Sequence, residues 1–128
     1  MIELVTLHLT SISETATQDT VDSLPVTGRI VHIYIDQSAS ANYDVDILIL
    51  ANDGSTTAET VYTKDNVTAL VSLATTNSIY NNAGTVKTYD GTRQVVGYYH
   101  ASAQKLRLSA GDSDTAGIDI TAKILVEH

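Results

Sequence analysis

The stretch from Thr27 to Gly54, TGRIVHIYIDQSASANYDVDILILANDG, constrains this chain more than any other. It holds two apolar runs, Ile30–Ile35 and Val45–Leu50, dominated by Ile, Val and Leu with Tyr at or beside them. Runs of this length that are rich in β-branched residues and bounded by turn residues read as strands. The connection between them, Asp36 to Asn42, is polar and small, without Gly or Pro. In the first run, Val31, Ile33 and Ile35 point one way, and Ile30, His32 and Tyr34 the other. In the second, Val45, Ile47 and Ile49 oppose Asp44, Asp46, Leu48 and Leu50. Both runs therefore carry apolar residues on both faces. A strand in the middle of a packed sheet, or one facing a neighbouring subunit, has a use for that; a surface strand does not.

The rest of the chain punctuates in the same way. Met1 to Ser13 alternates, with Val5, Leu7 and Leu9 against Thr6, His8 and Thr10. Glu14 to Asp22 is polar and reads as a loop, and Leu24-Pro25 restarts an extended chain. Asn52-Asp53-Gly54-Ser55 is a turn signal, and Thr56 to Lys64 reads as a strand. Between Asp65 and Asn82, Val67, Leu70, Val71 and Ala74 fit a helical spacing with Asp65 or Asn66 as N-cap. The same residues also fit an irregular loop with a strand. Thr85 to Tyr89 is a short strand, Asp90-Gly91 a hairpin turn, and Arg93 to Ala101 a further strand with Gly97 inside it. Gln104 to Ser109 puts Leu106 and Leu108 on one face and Lys105 and Arg107 on the other. Gly117 to Val126 closes the chain with Ile118, Ile120, Ala122, Ile124 and Val126 inward. The expectation is one all-β domain over residues 1–128, an antiparallel, jelly-roll-like β-sandwich of about eight strands. No βαβ alternation and no internal repeat of 20–50 residues is present.

Composition narrows the function classes. The chain has 128 residues, enough to bury roughly two-thirds of its unfolded surface. It lacks Cys, Trp and Phe, so Leu, Ile and Val must fill the core, and 18 Thr with 11 Ser favour strands over helices. The net charge is -8 and no two basic residues are adjacent, which argues against a nucleic-acid surface. MIELVTLHLTS alternates like a strand and lacks the basic start of a signal peptide. No run approaches the length of a membrane-spanning helix, so neither nucleic acid nor membrane is an expected partner.

The candidate chemical constellations are sparse. His8, His32 and His100 each lie on an outer-face strand position, and His128 ends the chain. They lack the His-x-His clustering of cupin-like metal sites, so structural or interface histidine is the expectation and no metal or cofactor is assigned. Asp44-x-Asp46 and Asp112-Ser113-Asp114 have a calcium-like spacing. Counted from Asp112, however, the bidentate position is filled by Lys123, so a solvated turn is the better account. No Gly-x-Ser-x-Gly elbow and no Gly-rich phosphate loop occurs. The absence of Trp disfavours a sugar-processing groove. Ile30, His32, Tyr34, Leu48 and Leu50, on the second faces of the two central strands, are candidates for a subunit contact. Tyr98, in the Tyr98-Tyr99 pair, joins them, and Tyr43 is an anchor candidate beside Tyr34, because Tyr combines area with a polar tip.

Several segments resemble small all-β structural proteins of tailed bacteriophages, the head decoration or cement proteins and related virion proteins. They are Gly28-Arg29-Ile30-Val31-His32-Ile33-Tyr34-Ile35-Asp36, Tyr43-Asp44-Val45-Asp46-Ile47-Leu48-Ile49, and a closing pair, Leu106-Arg107-Leu108-Ser109 and Ile118 to Val126. The resemblance covers roughly half the chain and implies a non-enzymatic sandwich, often trimeric, bound to the major capsid protein on the capsid exterior. The alternatives from the residues are a carbohydrate- or receptor-binding sandwich with exposed Tyr around a groove, and a cupin-like metalloenzyme.

Overall fold

A computed structural model describes residues 1–75, 77, 78 and 96–128, with residues 77, 78 and 96 described by backbone alone. Among the described residues eleven strands follow one another: β1 (Ile2–Leu9), β2 (Gln18–Asp22), β3 (Val26–Gln37), β4 (Tyr43–Leu50), β5 (Thr57–Val67), β6 (Val71–Leu73), β7 (Asn77–Ser78), β8 (Val96–Gly97), β9 (Tyr99–Gln104), β10 (Leu106–Gly111) and β11 (Ile120–Glu127). Nine of them form two packed antiparallel sheets. One has the order β1-β11-β3-β6, with β9 also on β3, and the other the order β2-β10-β4-β5. β7 and β8 pair separately. The fold is the all-β sandwich expected from the alternation.

The inner faces supply the core. Val5, Leu7 and Leu9 of β1 and Ile120, Ala122, Ile124 and Val126 of β11 are buried against Val45, Ile47, Ile49, Leu106 and Leu108 of the other sheet. The closing strand and β10 face as their alternation predicts: Leu106 and Leu108 point in, and Arg107 points out.

Three expectations change. Gln18–Asp22, read as loop, is a strand paired with β10. It has a single apolar residue, Val21, so periodicity is silent there. Its ladder is reinforced by side chains instead, with Ser109 Oγ donating to Gln18 Oε1 (2.7 Å) and Arg107 to Asp22 (2.6 and 3.0 Å). The helical option for Asp65–Asn82 gives way to strand where the residues are described: Asp65–Val67 end β5, and Val71–Leu73 form β6. Thr85–Tyr89, the Asp90-Gly91 turn and Arg93–Val95 lie outside the described residues.

The third change concerns Ile30 and Leu50, which are core residues and not contact residues. On β11, Leu125 stands opposite His32 and the next residue, Val126, opposite Ile30, so Val31 is an extra residue in β3. That bulge shifts the alternation by one, and Ile30, Ile33 and Ile35 all face inward and are fully buried. Leu50, the last residue of β4, is buried beside the buried Ile49; the register shift there leaves its extra residue, Ala58, in β5 and does not re-phase β4. Leu50 lies where the chain passes from β9 to β10 and so from one sheet to the other. Its N–H donates to Lys105 O (2.9 Å), and Gln104 Nε2 donates to its carbonyl (3.0 Å).

Gly28 permits the close approach of β3 and β11. Its φ is +145°, and a Cβ there would sit 2.5 Å from the carbonyl oxygen of Glu127. Gly28→Ala is expected to cost about 2–4 kcal/mol, since it combines backbone strain with a clash against main chain. Urea unfolding checks this through a lowered midpoint at unchanged slope. Tyr43 is fully buried, and among the described residues its hydroxyl has no hydrogen-bond partner; Gln37 Oε1 is in the same position. Burial, with smaller contributions from Tyr62 and Asp36, pushes the Tyr43 phenol up from 10.0 to about 12. The folded state holds this proton more tightly than the unfolded chain does. Stability is therefore complete below pH 10 and is lost as pH rises toward about 12. Tyr43→Phe should keep or slightly raise stability at neutral pH and flatten the alkaline loss, as read by thermal unfolding across that range.

Candidate functional site

The outer face of the five-stranded sheet is built from four rungs of side chains, each carried across the strands by the antiparallel register. Ile2, Glu127, Arg29 and His100 form one rung, and Leu4, Leu125 and His32 the next. Thr6, Lys123, Tyr34 and Ser72 follow, then His8, Thr121 and Asp36. Side chains in one rung stand beside each other on the same face. Leu4 and Tyr34 are exposed here, Leu125 and His32 half-buried. Leu70, just before β6, and Tyr98, just before β9, are also exposed.

Polar contacts fix the geometry of this face. The His32 ring lies 4.5 Å from the Tyr34 ring at 36°, and its Nε2 shares a hydrogen bond with Ser72 Oγ (3.1 Å). Arg29 donates to Glu127 and lies 5.0 Å over the Tyr98 ring, a cation–π arrangement. His8 Nδ1 shares a hydrogen bond with Thr121 Oγ1 (2.8 Å); at the end of the sheet, in the opposite phase, His128 Nε2 shares one with Glu3 Oε2 (2.9 Å). Tyr34, Asp36, Leu70, Thr121 and Lys123 border an open depression of about 500 Å³. The result is a broad, mixed aromatic and apolar surface.

The outer face of the four-stranded sheet is different. Its rungs run Asp22, Arg107, Leu48, Thr60 and Thr20, Ser109, Asp46, Thr63. Its acids are engaged locally. The Arg107 guanidinium holds the Asp22 carboxyl below its usual value, and Asp44 accepts from the Asn66 N–H (3.0 Å). Leu48 is half-buried among these polar groups.

The sequence-based contact set is therefore divided. His32, Tyr34 and Tyr98 share one surface, Leu48 lies on the opposite one, and Ile30 and Leu50 are inside. Leu4, Leu125, Leu70 and Arg29 belong to the surface and were missed. Leu4 and Leu125 had a signal, being Leu in the outer phase of otherwise alternating strands. The histidines do not gather: among the described residues no group of three His, Asp, Glu or Cys is placed to hold a metal. Asp114 is occupied in its own turn, accepting from the Asn42 N–H (2.9 Å) and the Thr115 hydroxyl (2.9 Å), which lower its pKa.

No protein-family model and no curated protein matches this chain. A solved structure, that of infectious bursal disease virus Gx strain, aligns at 9% identity over 98% of this chain and 40% of that chain, with a TM-score of 0.21. A likeness of that size carries no argument about fold or function.

The division between core and surface has a direct test. Ile30→Ala should destabilise the protein by about 2–5 kcal/mol, the range for emptying a packed site. Tyr34→Ala should cost less, about 1 kcal/mol, because its ring lies on the outer face, 37% exposed, and leaves no cavity in the core. Comparable losses for the two in urea unfolding would place Tyr34 in the core and remove it from the surface.

Proposed function

We propose that this chain is a non-enzymatic structural subunit of a virion that decorates the capsid exterior and docks on the major capsid protein. The docking surface is the outer face of the five-stranded sheet. The observation that carries this reading is that face itself: Leu4, Tyr34, Leu70 and Tyr98 exposed together on a rigid, hydrogen-bonded sheet, with Arg29 fixed over Tyr98. Exposed apolar and aromatic residues that share a surface mark a macromolecular contact more than a small-molecule site, and Tyr and Arg are enriched in such contacts. The segment resemblance to phage decoration proteins points the same way. Binding would be mechanical, by burial of the face without covalent chemistry.

A second reading is a carbohydrate- or receptor-binding module. Tyr34 beside the open depression favours it, since an exposed aromatic ring can stack on a sugar.

Mass spectrometry of particles made by the genome that encodes this chain tests the first reading. A decorating subunit is expected in purified particles in a fixed ratio to the major capsid protein. Tyr34→Lys with Leu70→Lys should remove it from particles while leaving the fold intact by circular dichroism. Absence of the unaltered chain from particles, together with specific binding on a glycan array, would overturn the capsid reading in favour of the second.

A further inference from the structure

Most strand edges among the described residues are shielded against pairing. β5 has three register shifts against β4 and carries Glu59, Lys64 and Asp65. β2 is five residues long with two Asp, and β6 is three residues long. β9 kinks at Ala103, whose φ is +51°. Bulges, charges and short length are the devices by which proteins stop sheets from joining edge to edge. β1 is neither short nor bulged, and its one acid, Glu3, lies near its start and is paired with His128. It runs eight residues, pairs with β11 without a register shift, and contains no Pro, Lys or Arg.

The phase of its ladder can be read from one bond. The His128 N–H donates to the carbonyl of Met1 (2.9 Å), so Met1 and His128 form a hydrogen-bonded pair. Antiparallel pairs alternate between bonded and non-bonded. Glu3, Val5, Leu7 and Leu9 therefore bond β11, and the N–H and C=O groups of Ile2, Leu4, Thr6 and His8 point away from it. Among the described residues no strand pairs with that edge.

A second observation concerns the same edge. Ile2 (58% exposed), Leu4 (52%) and Leu24 (84%) are among the most exposed large apolar residues, and all three lie along it. Val5, Leu7, Val21, Leu24 and Pro25 line a groove of about 460 Å³ between β1 and β2. The two acids of that groove, Glu3 and Asp22, are both paired within the chain, to His128 and Arg107.

We propose that β1 pairs antiparallel with β1 of a second copy about a two-fold axis, joining two five-stranded sheets into one. The argument for a second copy is that the strand is its own complement. With Leu4 opposite the partner's Thr6 and Ile2 opposite the partner's His8, every edge-facing residue enters a bonded pair, giving about eight backbone hydrogen bonds. A slip of two residues in either direction leaves one end unpaired. Val5 meets its own counterpart at the axis and Glu3 meets the partner's Leu7, so no like charges oppose each other. The contact is isologous and closes at two copies. It uses the backbone edge of β1 and shares only Leu4 with the residues named for capsid docking, and its cross-linking test reads the edge register alone.

The chain has no Cys, so an engineered pair reports the register cleanly. Cα atoms of a bonded antiparallel pair lie about 5.5 Å apart, within disulfide reach. A mixture of Leu4→Cys and Thr6→Cys proteins should cross-link into a dimer under mild oxidation, and neither variant should do so alone. Light scattering of the unaltered protein should give twice the chain mass. Thr6→Pro removes an N–H that faces away from β11. It should weaken association by roughly tenfold or more while keeping the sandwich by circular dichroism. A monomer, the trimer implied by the phage resemblance, a dimer indifferent to Thr6→Pro, or self-cross-linking of Leu4→Cys as efficient as the mixture would each overturn the proposal.

Discussion

The extra residue in β3 governs the arrangement of the five-stranded sheet. β3 is twelve residues long, and on the side away from β11 it serves two partners in turn, β9 from Val26 to Ile30 and β6 from Ile33 to Ile35. A strictly alternating strand of that sequence would send Ile30 and Ile33 to opposite faces, and one of them would leave the core. The bulge at Val31 removes the conflict by re-phasing the first half. It also adds local twist between the β9 and β6 segments, and β9 then runs on into β10 of the opposite sheet. The core, the crossing between sheets and the clear separation of inner from outer residues all follow from this irregularity.

Once the phase is set, the two outer faces take different characters. The four-stranded sheet turns out short polar side chains that satisfy one another: Ser109 with Gln18, Arg107 with Asp22, Thr63 with Asp46. Such a face has few unmet groups and little apolar area to offer a partner. The five-stranded sheet turns out Leu, Tyr and His, and its hydrogen bonds hold aromatic rings in place without covering them. Immobilised side chains lose little further entropy on binding, so a pre-set face of this kind can gain affinity from each ring it buries.

The sandwich was legible because most of its strands alternate with few exceptions. β10 and β11 are the clearest: every second residue of Ile118 to Val126 is apolar, and all five are buried. β2 was not legible, because an edge strand held by its backbone and by polar side-chain pairs needs no apolar period. Ile30 and Leu50 were misassigned for different reasons. Leu50 ends β4 beside the crossing from β9 to β10, where the face alternation no longer applies; Ile30 was read correctly as apolar, but a bulge leaves no mark in a sequence that lacks Gly or Pro at that point. One inserted residue reverses every assignment on one side of it. Three of the seven residues named for the candidate surface, His32, Tyr34 and Tyr98, could be found from the strand pattern. Arg29 and Leu70 could not, since the first depends on a contact with Tyr98 and the second on a connection between strands.

The same reversal changes what apolar residues on both faces of a strand mean. For β3 and β4 the doubly apolar pattern has an internal cause: the bulge at Val31 turns Ile30 inward, and Leu50 is buried at the end of β4 against the crossing from β9 to β10. For β1 and β11 no bulge intervenes over most of their length, and Leu4 and Leu125 stay on the outer face next to each other in the register. Apolar residues in the outer phase of a regular strand are therefore the stronger sign of a contact than apolar residues beside an irregular one. By that criterion the proposed contacts are better placed on the pair β1 and β11 than on the central strands β3 and β4. Both surfaces argued above, the sheet face and the sheet edge, contain β1.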